Sequence, residues 1–271
     1  MDNQLISFEE NKIRKTWYNE QWFFSIIDVI QVLTDSPSPK TYWAKLKTKE
    51  QTTNGQPFPF TEQLKMTATD GRSRLTDCAN TEGILRIVMS VSSPKAEPLK
   101  LWLAQVGRER IEETENPELG FERMTALYKA KGYPDDWIDK RLENIKTRKQ
   151  LTNEWKNRDV KEGQEYSILT AIIAKGTFGI TPSEHKDYKG LTKPSQNLRD
   201  HMTPLELIFT SLGEELTRQR AITDNAIGFE DNKSAAIQGG NTAGKALKMV
   251  EEEEGKKIVS KENYLNSLKK P

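Results

Sequence analysis

The apolar residues change their spacing part-way along the chain, and that change constrains the fold more than any other feature. Up to about residue 110, short alternating stretches suited to strands are interleaved with short stretches at helical spacing. From Pro117 onward helical spacing takes over. Side chains repeat with period two in a strand and 3.6 in a helix, so a segment patterned for one does not settle as the other. The chain therefore reads as α+β: a small hairpin-and-helix N-terminal domain followed by a mainly α-helical C-terminal region.

Leu5–Thr16 mixes β-formers with charge. Trp17–Trp22 has aromatic strand ends around Asn19-Glu20 and reads as a hairpin. Ser25 is placed to cap a helix carrying Ile26, Ile27, Ile30 and Leu33 on one face, stopped by Asp35-Ser36-Pro37-Ser38-Pro39. A short helix is expected over Tyr42–Glu50 and a loop over Gln51–Pro59. Leu64–Leu75 reads as a second hairpin turning at Asp70-Gly71. A helix then starts at Thr81, and Leu99, Trp102, Leu103 and Val106 mark one face of another. These elements make a first domain over residues 1–110.

Residues 111–225 read as a helical domain. Phe121, Met124, Leu127 and Tyr128 form one stripe, Gly132-Tyr133-Pro134 breaks it, and Trp137, Ile138, Arg141, Leu142 and Ile145 start the next, which continues to Leu151 and Trp155. Tyr166–Ala174 and Pro204–Leu216 are further apolar helices, separated by a loop over Gly176–Leu198. Thr203-Pro204 followed by Glu206 is a capping box with proline at the first helical position. Residues 226–271 lose apolar content and are expected to be a Gly/Glu/Lys-rich tail, loosely packed, with one helix over Thr242–Glu254.

Cys78 is the single cysteine, so the chain forms no intramolecular disulfide and no Cys-rich zinc site. No apolar run approaches the ~18 residues of a membrane helix, and Met1–Phe8 lacks a signal-peptide pattern. The expectation is a cytoplasmic protein without membrane contact. The formal charge is only +1, but it is segregated. Between Pro37 and Leu75, seven Lys/Arg face three acids, and between Lys140 and Lys161 eight face three. Local positive fields are thus available inside a neutral total.

The hairpin Trp17–Phe24, the helix Ser25–Leu33, the basic run Tyr42-Trp43-Ala44-Lys45-Leu46-Lys47, the strand-turn-helix Leu64–Val91 and the closing Pro98–Leu103 resemble the BRO-N domain of viral BRO proteins and phage antirepressors. Further on, Asn197–Glu214, Gly228-Phe229-Glu230, Gly239–Ala246 and Val259–Leu265 resemble the DNA-damage-inducible protein D family. The resemblance implies DNA binding by the first part, single-stranded or duplex, in a DNA-damage response or prophage control. No catalytic site is carried over from it, and the chain is expected to be a non-enzyme without a cofactor.

The candidate DNA-binding residues are Lys40, Tyr42, Trp43, Lys45, Lys47, Arg72 and Arg74. Lysines neutralise phosphates and release counterions, and Tyr42 and Trp43 would stack on unpaired bases. Arg72 and Arg74 flank a hairpin turn that suits a groove. Lys45, Lys47, Arg72 and Arg74 are expected to share one face. The structural alternative is that Tyr42, Trp43 and Leu46 pack inward while the lysines solvate a helix. The Lys140–Lys161 run reads mainly as a solvated helical face, with Trp137 and Trp155 as core anchors. His201 beside Asp200 suits a structural hydrogen bond better than acid–base work, and Cys78 reads as packing. Gly239–Lys245 has the spacing of a phosphate loop, but Ala246 stands where the magnesium ligand belongs and no strand precedes it. It reads instead as a Gly-broken pair of helices contacting a partner. A second functional class stays open: a protein-interaction factor whose helical half engages a DNA-repair or repressor protein, or oligomerises through Leu205, Ile208, Phe209 and Leu212.

Overall fold

The computed structural model describes residues 13–34, 36–55, 58–68, 71–193 and 195–268. The chain divides into two compact units, Met1–Leu119 and Gly120–Pro271.

In the first unit, β1 (Lys15–Tyr18) and β2 (Gln21–Ser25) form the expected aromatic hairpin, with Trp17 opposite Trp22. Asn19 and Glu20 at the turn have φ of 47° and 59°, the positive values a tight type I′ turn requires at both central residues. Helix α1 (Ile26–Thr34) follows directly, then α2 (Pro39–Asn54), longer at both ends than the expected Tyr42–Glu50. β3 (Thr61–Thr67) and β4 (Ser73–Ala79) pair antiparallel from Thr61↔Ala79 to Thr67↔Ser73. The ladder closes with Ala68 N–H donating to Arg72 O at 2.8 Å. The expected Asp70-Gly71 turn falls partly on Asp70, outside the described residues, as does most of the Leu5–Thr16 stretch. The four-stranded sheet has the order β1-β2-β4-β3.

Alternation sorts the sheet residues onto two faces. Phe24 and Ala79 turn towards the main core, where Ile26, Ile30 and Leu33 of α1 meet Trp43 and Leu46 of α2 and Ile84, Ile87 and Val88 of α3 (Thr81–Ser90). Phe23, Met66 and Cys78 form a smaller buried cluster on the other face. Burial pushes the Cys78 thiol up to about 11, so it stays protonated at neutral pH and serves as packing. Arg14 grips Asp28 of α1 through Nε and Nη2, both at 2.8 Å, tying the start of the sheet to the first helix. The long α4 (Glu97–Glu115) adds Leu99, Trp102 and Leu103 to the core.

The second unit is helical: the end of α5 (Glu118–Ala130), then α6 (Asp135–Asn157), α7 (Gln164–Phe178), α8 (Pro182–Tyr188), α9 (Pro204–Thr223), α10 (Gly228–Glu254) and the short α11 (Tyr264–Ser267). Trp137 and Trp155 are fully buried, as expected of core anchors. Trp137 stacks on Tyr133 at 3.9 Å between centroids and donates its indole N–H to Met202 O at 2.9 Å.

Two expectations fail here. The Gly176–Leu198 loop contains helix α8, started by a capping box of Thr181 and Glu184. The loose tail is instead α10, one helix of 27 residues that packs against α7 and α9 with Ala235, Ala236, Gly239, Gly240, Ala243 and Gly244 buried. Its glycines do not break it. A Cβ on Gly240 would lie 2.8 Å from Ile173 O of α7, and one on Gly176 would lie 2.8 Å from the carbonyl carbon of Gly240. One on Gly239 would collide with Thr217 of α9. Small residues let the three backbones touch, and that tertiary packing outweighs the cost of glycine within a helix. The Gly-x-x-x-x-Gly-Lys spacing is therefore a helix-crossing pattern.

Candidate nucleic-acid interface

Helix α2 carries most of the predicted residues because Pro39 at its start and the left-handed Gly55 (φ 68°) at its end define it. Its buried stripe contains Trp43 and Leu46, with Tyr42 packed at the edge. Trp43 is 4% exposed, tilts against Phe58 at 5.2 Å, and donates its indole N–H to Asp77 Oδ2 at 2.6 Å. The Tyr42 hydroxyl accepts the Ser92 N–H at 3.0 Å. The structural alternative holds for Trp43, which fastens α2 to β4 inside the core, while Tyr42 is half-buried and tied by its hydroxyl to the segment after α3.

Asp77 is the hub of this side of the sheet. It also accepts from Lys47 Nζ at 2.8 Å and from Gln63 Nε2 at 3.0 Å. Burial opposes its ionisation, but the hydrogen bonds from Lys47, Trp43 and Gln63 outweigh it and hold the carboxyl below the ordinary carboxylate range. Lys47 is thus committed to an intramolecular pair, while Lys40 and Lys45 are exposed.

The four cations expected on one face are not brought together. Two positions along a helix stand roughly 200° apart, so Lys45 and Lys47 lie on opposite flanks of α2, with Lys40 on the Lys47 flank. Arg74 is opposite Met66, whereas Asp77 is opposite Gln63. Residues three apart on a strand point to opposite faces, so Arg74 projects away from the face that Lys47 holds. Arg72 is exposed in the connection just before β4.

The β1–β2 hairpin presents a different exposed surface. Trp17 is 58% exposed and Trp22 44%. Their rings meet edge-to-face at 5.2 Å, and Lys15 Nζ sits 4.9 Å from the Trp22 ring centre. The tight turn at Asn19-Glu20 fixes the cross-strand register, and the register sets the two indoles side by side. Two hydrophobic rings left in water beside a cation offer planar stacking surface and phosphate neutralisation on the same hairpin. The available signal was Trp17 and Trp22 on one face of a hairpin too short for both to reach the core.

In the second unit the basic run Lys140–Lys161 is in part a set of buried pairs. Arg141 Nε meets Asp200 Oδ1 at 2.9 Å, and Arg148 Nη1 meets Glu214 Oε1 at 3.2 Å. His201 bonds Asn263 at 2.8 Å and makes no bond to the adjacent Asp200 carboxylate, whose partners include Arg141 and Tyr128. Glu206 is fully buried between Lys189 Nζ at 2.8 Å and His185 Nε2 at 3.2 Å, and also completes the predicted capping box with Thr203. Burial opposes its charge, but the His185 and Lys189 contacts outweigh it and lower its pKa. Among the described residues, no helix is long and apolar enough to cross a membrane.

No curated protein matches the chain. Residues 12–108, which include the hairpin, the whole sheet and α1 through most of α4, match the family described as the BRO family, N-terminal domain.

Proposed function

We propose that the chain is a DNA-binding regulatory protein without catalytic activity of its own, and that its first unit contacts single-stranded DNA through the β1–β2 hairpin. The observation that carries this reading is the exposed Trp17–Trp22 pair with Lys15 above it, within the segment that matches the BRO family N-terminal domain. Stacking on aromatic side chains contributes about 1–3 kcal/mol per base and tolerates any sequence. Lys40 and Lys45 supply further charge along the first unit, and Arg72 and Arg74 sit at the second hairpin. The likeness of Asn197–Glu214 and Gly239–Ala246 to the DNA-damage-inducible protein D family favours a damage-response or prophage-control setting.

The test is fluorescence anisotropy of labelled single-stranded and duplex DNA with the full chain across a salt series. The proposal expects tighter binding to the single strand, weakening with salt by roughly 0.7 in log–log slope for each phosphate contact. Preference for duplex would move the site to groove-reading residues, and absence of binding would remove the DNA function.

A second reading, engagement of a DNA-repair or repressor protein by the helical half, is favoured by α9. Leu205 and Ile208 are exposed about one turn apart, while Phe209 is buried against Leu247 and Ile258.

A further inference from the structure

The cations of helix α6 and its end divide by direction. The buried side of the helix carries Trp137, Arg141, Asn144, Leu151 and Trp155. The arginines are all committed: Arg141 to Asp200 at 2.9 Å, Arg148 to Glu214 at 3.2 Å and Arg158 to Glu154 at 2.6 Å. The lysines behave differently. Lys146, Lys149 and Lys156 are exposed, together with Gln150, Asn153 and Asn157. At 3.6 residues per turn these six fall within about a third of the helix circumference, opposite the two tryptophans, along about 16 Å of its length. Lys146 touches Glu143 loosely at 3.9 Å. The other five side chains make no hydrogen bond or ion pair among the described residues.

The exposed part of α4 is built in another way. There Arg108 pairs with Glu112 at 2.6 Å and Arg110 with Glu113 at 2.9 Å, so the surface neutralises itself. Between Lys146 and Asn157 the one acid is Glu154, and Arg158 takes it. What remains outside is a patch of three lysines interleaved with carboxamides, bounded upstream by the exposed Asp139 and Glu143. Lysines neutralise phosphates. Asn and Gln present the paired donor and acceptor that match the N6 and N7 edge of adenine, and a helix fits the major groove of duplex DNA, about 12 Å wide. None of the six residues is aromatic, so unlike the hairpin this face offers no ring on which unpaired bases could stack.

We propose that the outward face of α6 is a second nucleic-acid surface, one that takes double-stranded DNA in the major groove, with Lys146, Lys149 and Lys156 on phosphates and Gln150 and Asn153 on base edges. It is separate from the single-strand contact proposed for the β1–β2 hairpin. The two share no residue, and either can fail without the other.

The experiment is fluorescence anisotropy of a labelled blunt duplex, and of one of its strands alone, with the full chain across a salt series. The variants are Lys146→Gln/Lys149→Gln/Lys156→Gln and Trp17→Ala/Trp22→Ala. The three lysines lie outside the buried pairs of this unit, so the thermal melt of the triple variant should match wild type. Its duplex binding should weaken roughly tenfold or more, with the log–log salt slope shallower by about 2–3, at about 0.9 for each phosphate contact, while single-strand binding is kept. The tryptophan variant should show the reverse. Gln150→Ala/Asn153→Ala should narrow the preference among duplexes of different sequence and leave the salt slope unchanged. A wild-type chain that does not bind the duplex, or a triple variant with wild-type duplex affinity and slope, overturns the proposal. Equal losses on duplex and single strand overturn its assignment to the groove.

Discussion

The two units treat their charged residues in opposite ways. The first keeps its lysines at the surface and centres one side of its sheet on a single carboxylate, Asp77, which is still partly open to water. The second draws charge inside: Arg141, Lys189, Glu206 and Glu214 are each less than a tenth exposed. Buried ions contribute little net stability compared with an apolar core, but removing one partner is severe because the other stays buried and unpaired. The first unit is therefore expected to tolerate changes to its charges without unfolding. The second should respond to them by unfolding.

The largest effect tests that contrast directly. Glu206→Ala strips Lys189 and His185 of their carboxylate and breaks the cap of α9, and should cost about 3–5 kcal/mol. Urea denaturation followed by tryptophan fluorescence measures it, and a loss under about 1 kcal/mol would remove the distinction between the units. Next is Gly240→Ala, whose new methyl would meet the Ile173 carbonyl at 2.8 Å. Neither backbone can move aside cheaply, so a loss of about 1–3 kcal/mol is expected, read as a lower urea midpoint.

Acid sharpens the comparison further. The folded pKa of Glu206 is lowered. Its contribution is fully present above the ordinary glutamate value of about 4.3 and is lost as pH falls through the lower folded value. Stability of the second unit should therefore drop below about pH 4, and Glu206→Gln should flatten that dependence when the two unfolding curves are compared. The smallest effect is Lys47→Ala. The Lys47 side chain is 49% exposed, so its pair with Asp77 is screened and should contribute no more than about 0.5 kcal/mol, with Trp43 and Gln63 still holding the carboxylate.

Much of the fold was legible because local chemistry agreed with tertiary placement. Asn19-Glu20 between aromatic strand ends announced a hairpin, and Thr203-Pro204 with Glu206 announced the start of α9. The same signature, Thr181-Pro182 with Glu184, begins α8, but the turn residues around it mask it in the sequence. The central helix α10 was hidden for a different reason. Its buried face is made of glycine and alanine, so hydropathy marks it as polar, and only the backbones of α7 and α9 reveal what those small residues fit.

The site was less legible than the fold. Composition located a basic-aromatic stretch but could not say which rings turn inward. Trp43 was taken into the core by the α2 stripe and by Asp77, a carboxylate 34 residues away. Trp17 and Trp22 were left outside by a register that places both on one face of a two-stranded edge. Lys45 and Lys47 were close in sequence and separated by helical geometry.

The most direct test of the account is to compare wild type, Trp17→Ala/Trp22→Ala and Lys47→Ala for binding of labelled single-stranded DNA by the full chain across a salt series. Losing the two indoles should weaken binding at least tenfold, about 1.4 kcal/mol or more, with the salt slope little changed, and Lys47→Ala should bind near wild type. Equal affinity of wild type and the double tryptophan variant, or a larger loss from Lys47→Ala, would contradict it.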